Sequence, residues 1–289
     1  MLKDIISSLR LKQWLKNSFV LAALVFDRQL TNLPAVQRTV AGIFVFCFLS
    51  SSVYVLNDIF DIKADQMHPV KKNRAIASGR ISVPLAILLA IILAGSSLLW
   101  ALQLSSNFFY VCTVYLLMNL AYSKWLKHVP ILDVMIIAAG FVLRVAAGVS
   151  LIQVERFSPW LYVVTTLLSL FIGFGKRRAE LNLLAAEANQ HRAVFDGYTL
   201  AFLDQLIAIV SATTIISYSL YTFSAPNLPA NHSMMLTIPF VLYGLFRYLF
   251  LLQVKHSGGA PEELVINDRP LLIALILWGI SVIVIFYLS

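Results

Sequence analysis

The sequence predicts an all-α protein that crosses a membrane many times, and three observations predict it. Of its 289 residues 60% are hydrophobic and only 12% charged. The mean hydropathy is +0.83. The apolar residues also gather into runs long enough to span a bilayer, which takes about 20 residues per helix. A soluble domain carries about 25% charged residues, so this chain has too little charge to clothe a surface in water. The bilayer is its solvent.

Taken in order, the predicted spans are 11–28, 38–56, 83–104, 107–122, 131–152, 158–175, 201–223, 234–254 and 270–288. The first is cut short by Asp27 and Arg28. Together they predict a nine-helix bundle in one continuous domain over residues 1–289, without internal repeat or low-complexity linker. The basic start (Lys3, Arg10, Lys12, Lys16) leads into the first run with no clear cleavage site, so no removable signal peptide is expected. Cys47 and Cys112 both lie inside apolar runs, which implies neither a disulfide framework nor a zinc site.

The net charge is +8. In a soluble protein that would suggest nucleic acid; in a polytopic one it reports orientation first and anionic ligands second. Nucleic acid is therefore not an expected partner. With nine spans, Arg28, Arg38 and Arg156 fall on one side, and Arg144 and Arg247 fall inside spans. The remainder of the 22 Lys and Arg share the N-terminal side. The positive-inside rule then puts the N-terminus in the cytoplasm and the C-terminus outside, across a plasma (inner) membrane. The acids gather on or beside the same cytoplasmic face: Asp58, Asp61, Asp65, Asp133, Glu180, Glu187, Asp196, Asp204, Glu262, Glu263 and Asp268. Acids contribute little to orientation. A mixed acidic and basic face suits a metal-bound polyanion.

The sharpest motif is Asn57-Asp58-Ile59-Phe60-Asp61-Ile62-Lys63-Ala64-Asp65, at the cytoplasmic end of the second span. On a helix, positions 58, 61 and 65 share one face. Three carboxylates that close repel one another, and a membrane interface makes them costlier. A divalent cation relieves the repulsion, and oxygen-only ligands favour Mg²⁺, which shares its shell with substrate phosphates. The run His68-Pro69-Val70-Lys71-Lys72-Asn73-Arg74 through Arg80 follows directly. It sets Lys71 and Arg74 beside the carboxylates, as a pyrophosphate clamp requires. His68 reads as a positioning residue rather than a metal ligand, since the five histidines form no ligand spacing.

This whole run resembles the first aspartate-rich motif of the UbiA superfamily, with Ala75 where the familiar pattern has proline. The resemblance implies a nine-helix bundle that binds a Mg²⁺-diphosphate and a polyprenyl chain, the lipid lying between helices against apolar walls. Aromatic prenyltransferases of that superfamily carry a second acidic motif, DxxxD, in the loop after the sixth helix. This chain has Gly175-Lys176-Arg177-Arg178-Ala179-Glu180 and then Asp196-Gly197-Tyr198-Thr199 there, with no DxxxD. That loop is similar to the decaprenyl-phosphate phosphoribosyltransferase branch. So are Gln13-Trp14-Leu15-Lys16-Asn17, Gly140-Phe141-Val142-Leu143-Arg144 with Gly148, and Gly258-Gly259-Ala260-Pro261-Glu262-Glu263. The branch implies transfer of 5-phosphoribose from phosphoribosyl diphosphate to a polyprenyl phosphate, and hence a place in cell-wall biosynthesis. An aromatic prenyltransferase, such as one using 4-hydroxybenzoate, is the alternative on the same fold.

The expected metal ligands are Asp58, Asp61 and Asp65. The expected substrate contacts are Lys16, Asn57, Lys71, Arg74, Tyr122, Lys127, Arg144, Lys176, Arg177 and Glu180. Several have a second explanation. Lys176, Arg177 and Arg178 suit metal-free phosphates, or a basic anchor after the sixth span. Tyr122 and Lys127 suit phosphate or ribose, or an interfacial aromatic and a snorkelling lysine. Arg144, well inside the fifth span, needs a partner or a polar cavity, and Asp133 on the same helix is a candidate partner or ligand. Arg247 raises the same question more weakly. Glu262, Glu263, Asp268 and Arg269 read as a lid hinged at Gly258-Gly259, or as a plain helix-capping loop.

Overall fold

The first amides of a helix lack partners within it, and α3, α9 and α12 supply them with local side chains. Asn32 accepts from the Ala35 amide with Pro34 following, and so starts the helix α3. Thr199 accepts from Phe202 N at 3.1 Å to start α9. Asp268 accepts from Leu271 N at 2.9 Å to start α12.

The computed structural model of the protein describes residues 2–68, 70–154, 158–186, 197–226, 228–255 and 261–287. Among them every regular element is helical: α1 Leu2–Ser8, α2 Leu21–Phe26, α3 Leu33–Phe60, α4 Ile62–Met67, α5 Val83–Leu104, α6 Ser106–Lys124, α7 Leu132–Leu151, α8 Trp160–Ala186, α9 Leu200–Ser224, α10 Ile238–Gln253, α11 Pro261–Asn267 and α12 Arg269–Tyr287. Short 3₁₀ segments join them, and a longer one, Leu11–Val20, precedes α2. Among the described residues six helices are long and apolar enough to cross a membrane: α3, α5, α7, α9, α12 and Ser233–Gln253, which includes α10. The helices α6 and α8 have the length, but Asn107 and Asn119 dilute one and Lys176, Arg177, Arg178 and Glu180 the other.

The contacts divide the chain into two compact units. The first comprises residues 1–127 and 140–154. Its core is built by α3, α5, α6 and the second half of α7, around Val45, Phe46, Leu49, Phe108, Cys112, Tyr115, Ala147 and Leu151. A smaller cluster of Val55, Ala75, Ile76, Ile81, Ala86 and Ala90 seats the loop after α4 on α3 and α5. The N-terminal segment climbs the length of α3. Leu9 and Trp14 bond to Ser51, Asn17 reaches Ser50 and Cys47, and Asn32 caps the far end. Small residues permit the closest approach, as is usual between membrane helices: a Cβ on Gly148 of α7 would collide with the Val20 carbonyl.

The second unit comprises residues 128–139 and 155–289. Its core runs along α8, α9 and α10, through Phe171, Phe174, Leu203, Ile207, Leu245, Tyr248 and Leu252. Here too a glycine allows contact, since Gly173 faces Val134 where a Cβ would fall 2.6 Å from the valine side chain.

Three sequence expectations are corrected. The first span is a 3₁₀ segment followed by a short α-helix, because Lys12, Gln13, Lys16 and Asn17 make its start polar. The three aspartates do not lie on one unbroken helix: α3 stops at Phe60, Asp61 takes φ −94°, ψ 6°, and α4 resumes at Ile62. The basic run 176–178 and Glu180 stand on α8, not in a loop, because strong helix formers extend that helix through Ala186.

Candidate active site

Three carboxylates at the end of α3 in the first unit are each matched to a cation. Asp58 and Asp65 are both 4% exposed, a burial that demands counter-charge. Arg74 supplies it to both, with Nη1 at 2.7 Å from Asp65 Oδ2 and 3.1 Å from Asp58 Oδ1. Arg10 ion-pairs with the same Asp58 oxygen. Asp61 ion-pairs with Lys127 and accepts from Asn57 Nδ2 at 3.0 Å.

The chain after α4 is shaped to deliver Arg74. His68 Nδ1 accepts from the amides of Val70 and Lys71 at 3.1 and 3.2 Å, which holds the turn. Ala75, Ile76 and Ala77 are buried beyond it, and Gln66 Nε2 donates to the Ala77 carbonyl at 3.0 Å. Gly79 closes the loop at φ +76°, a backbone that L side chains rarely adopt. Arg74 therefore projects back over the acids. Lys71 opens the 3₁₀ turn at 71–73, Lys16 stands on the N-terminal 3₁₀ segment, and Tyr122 lies in the last turns of α6.

Among the described residues no three acid, histidine or cysteine side chains converge as a preformed metal shell. The donor chemistry nevertheless suits Mg²⁺: carboxylate oxygens from Asp58, Asp61 and Asp65, with the Asn57 amide beside them.

Arg144 is buried in the same unit, and its partners are neutral. Nε donates to Asn17 Oδ1 at 2.9 Å, Nη1 to the Gly140 carbonyl at 2.8 Å and Nη2 to Tyr115 Oη at 2.9 Å. The guanidinium also lies 4.9 Å from the Tyr115 ring centre. Asp133 is not its partner. Eleven residues of helix put about 16 Å of rise between them. What Arg144 does is tie the Leu11–Val20 segment to α6 and α7.

In the second unit Asp133 is fully buried and holds Arg177, with Nε 2.6 Å from Oδ2. Arg177 also pairs with Glu180 at 2.5 Å. Tyr198 Oη donates to Asp133 Oδ1 at 2.7 Å and accepts from Ile131 N at 2.5 Å. Burial, and then the bond to the Asp133 carboxylate, push the Tyr198 phenol up. Ile131 has φ +69°, a strained state for a β-branched residue, and this bond anchors it. Arg178 pairs with Asp204 at 2.6 Å, and Lys176 precedes both arginines, half-buried on α8. Arg247 finds Asp268 at 2.8 Å. Asp268 thus caps and pairs, as the capping account expects. Glu187, Asp196, the Gly258-Gly259 hinge and the Glu262 side chain lie outside the described residues.

Two participants were missed from the sequence: Arg10, read there only as a topological charge, and the Asp133–Tyr198 contact. Neither has a local signal, since 48 and 65 residues separate the partners.

The UbiA prenyltransferase family model matches residues 18–178. A decaprenyl-phosphate phosphoribosyltransferase from Mycolicibacterium smegmatis is 32% identical over 96% of this chain and 91% of its own length. One from Mycobacterium tuberculosis is 30% identical over 95% and 91%. The fold matches a UbiA homolog from Archaeoglobus fulgidus bound to DMAPP and Mg²⁺, with a TM-score of 0.76 over 99% of this chain and 100% of that one, at 19% identity.

Proposed function

The chain belongs to the UbiA prenyltransferase family, and from that premise we propose that it transfers 5-phosphoribose from phosphoribosyl diphosphate to a polyprenyl phosphate, releasing pyrophosphate. The observation that carries this reading is the near-full-length likeness to enzymes named for that transfer. The clustered carboxylates and cations of the first unit support it.

In this reading an oxygen of the lipid phosphate attacks C1 of the donor, the bond from C1 to the diphosphate breaks, and the diphosphate departs with the bonding electrons. A phosphate monoester is already anionic at neutral pH, so no general base is needed. Bound Mg²⁺ would stabilise the departing diphosphate as a Lewis acid. Asp58, Asp61 and Asp65 would hold it, with Asn57 orienting Asp61. Arg74, Lys71 and Lys127 would offset charge that grows on the leaving oxygens. Lys16 and Tyr122 remain proposed substrate contacts. Lys176 is proposed to meet a substrate phosphate. Arg177 and Glu180 are assigned to shaping α8, because Arg177 is already committed to Asp133. Arg144 is proposed to position the N-terminal segment through Asn17.

The protein is an integral membrane protein. We further propose nine crossings, with the N-terminus and the aspartates on the cytoplasmic side of the plasma membrane. The N-terminal segment supports this count because its bonds follow α3 from Ser51 to Asn32. Ten residues of 3₁₀ helix and six of α-helix reach up to about 29 Å at 2.0 and 1.5 Å per residue, close to the roughly 30 Å of a hydrocarbon core.

The test offers the purified protein labelled phosphoribosyl diphosphate with polyprenyl phosphate, and separately a prenyl diphosphate with 4-hydroxybenzoate. Label should pass to lipid only in the first mixture. Product only in the second would defeat the phosphoribosyl reading and leave an aromatic prenyltransferase.

A further inference from the structure

Asp58 Oδ1 receives two guanidinium groups, and they are not equivalent. Arg74 is shared with Asp65 and stands directly before the buried Ala75, Ile76 and Ala77. Arg10 pairs with Asp58 as its carboxylate, lies 5.1 Å over the Tyr54 ring and is 25% exposed. Its backbone is left-handed, at φ 53°, ψ 54°, a state that L-residues other than Asn and Asp rarely visit. Neighbouring bonds hold it there: Ser51 Oγ to the Leu9 carbonyl at 2.8 Å, Gln13 N to the Arg10 carbonyl at 2.7 Å, and Trp14 Nε1 to Ser51 Oγ at 3.0 Å. The chain is thus folded so that the Arg10 guanidinium reaches this one oxygen.

Arg10, Arg74 and Lys127 neutralise Asp58, Asp61 and Asp65. A dication entering this balanced cluster must displace a guanidinium from Asp58 and leaves two positive charges in excess. A diphosphate entering alone meets three carboxylates. Each ligand therefore removes the obstacle to the other, which is a coupling free energy between two binding events. Arg10 is held by one carboxylate and Arg74 by two.

We propose that Arg10 is a diphosphate-binding residue held on Asp58, which turns to the anion when a divalent cation takes that carboxylate, so that cation and diphosphate bind with positive coupling. This rests on the proposed function only in requiring a divalent cation and a diphosphate at Asp58.

Titration calorimetry on the full-length protein tests it, using Mn²⁺ alone and then inorganic pyrophosphate at saturating Mn²⁺. The variants are Arg10→Ala, Arg10→Asn, which suits the left-handed backbone, and Asp58→Asn. Removing Arg10 should tighten Mn²⁺ alone while weakening pyrophosphate by roughly tenfold or more, the scale of one charge-assisted contact. Loss of structure would weaken both, so opposite signs identify the exchange. Both affinities unchanged, or both weakened in the two Arg10 variants with thermal midpoints near wild type, overturns the exchange. If in addition Asp58→Asn abolishes both bindings, the metal reading survives and only the Arg10 role falls. Unchanged Mn²⁺ and pyrophosphate binding in Asp58→Asn removes the metal reading, and the Arg10 role with it.

Discussion

Asp58 is buried at the edge of a membrane helix with Arg10 and Arg74 on one of its oxygens, so charge rather than volume decides what it does. Asp58→Asn keeps the size and removes the charge. Both arginines are about one quarter exposed, so water can take up the contacts they lose and the protein should still insert and fold. Turnover should fall at least a hundredfold, the scale on which loss of one preorganised electrostatic contact slows catalysis. A near-wild-type rate at saturating Mg²⁺ removes the metal assignment. The neighbours Lys176 and Arg177 part company by the same reasoning. Arg177 neutralises the fully buried Asp133, and stripping a buried charge of its partner costs about 3–5 kcal/mol. Arg177→Ala should therefore lower the thermal midpoint and the yield. Lys176→Ala should raise the donor KM roughly tenfold or more, as loss of a charged phosphate contact does. A donor KM that stays constant in Lys176→Ala makes that lysine a topological anchor and no more.

Elements meet in this protein where glycine lets backbones close. Gly148 on α7 faces the Val20 carbonyl, and a backbone oxygen cannot rotate aside as a side chain would. Gly148→Ala should cost about 1–3 kcal/mol by forcing the N-terminal segment off α7. Gly95 on α5 has nothing within 4 Å of a built Cβ, so Gly95→Ala should be neutral or slightly stabilising. Thermal unfolding in detergent separates the two; equal midpoints would mean that the segment is not packed on α7 through Gly148. The same segment carries Asn17, the acceptor for Arg144, and ends near Arg10. A Gly148→Ala protein that does fold should for that reason also bind donor less well.

At the scale of the whole chain, the proposed orientation rests on the uneven placement of cations rather than on any single helix. An N-terminus inside and a C-terminus outside require an odd number of crossings, and the N-terminal segment makes the difference between eight and nine. A reporter joined after Ser289 should be active only outside the cytoplasm. Activity inside would remove either the inward N-terminus or the count of nine. The outward faces agree with a lipid surround: Ile91 and Leu99 on α5 and Ile273 and Ile280 on α12 are each more than half exposed, which is costly in water and free in lipid.

Hydropathy by itself determined the class of this protein and the positions of its long helices, because satisfying a backbone inside a bilayer is a local requirement that runs of apolar residues report directly. The Asp58, Asp61, Asp65 and Arg74 cluster was legible for a similar reason: these residues lie within one short stretch, and the structure brings Arg74 onto two of the three acids. Where polar and helix-forming residues competed, at the start of the chain, at Asp61 and beyond Gly175, the pattern placed the boundaries wrongly. Only the tertiary structure decided which partner each buried charge takes. Arg10 on Asp58, Lys127 on Asp61, Asn17 on Arg144 and Asp133 on Arg177 join residues 44 to 127 positions apart. A buried charge takes whichever partner the packed helices bring within reach, and that proximity is a property of packing, which no periodicity along the chain encodes.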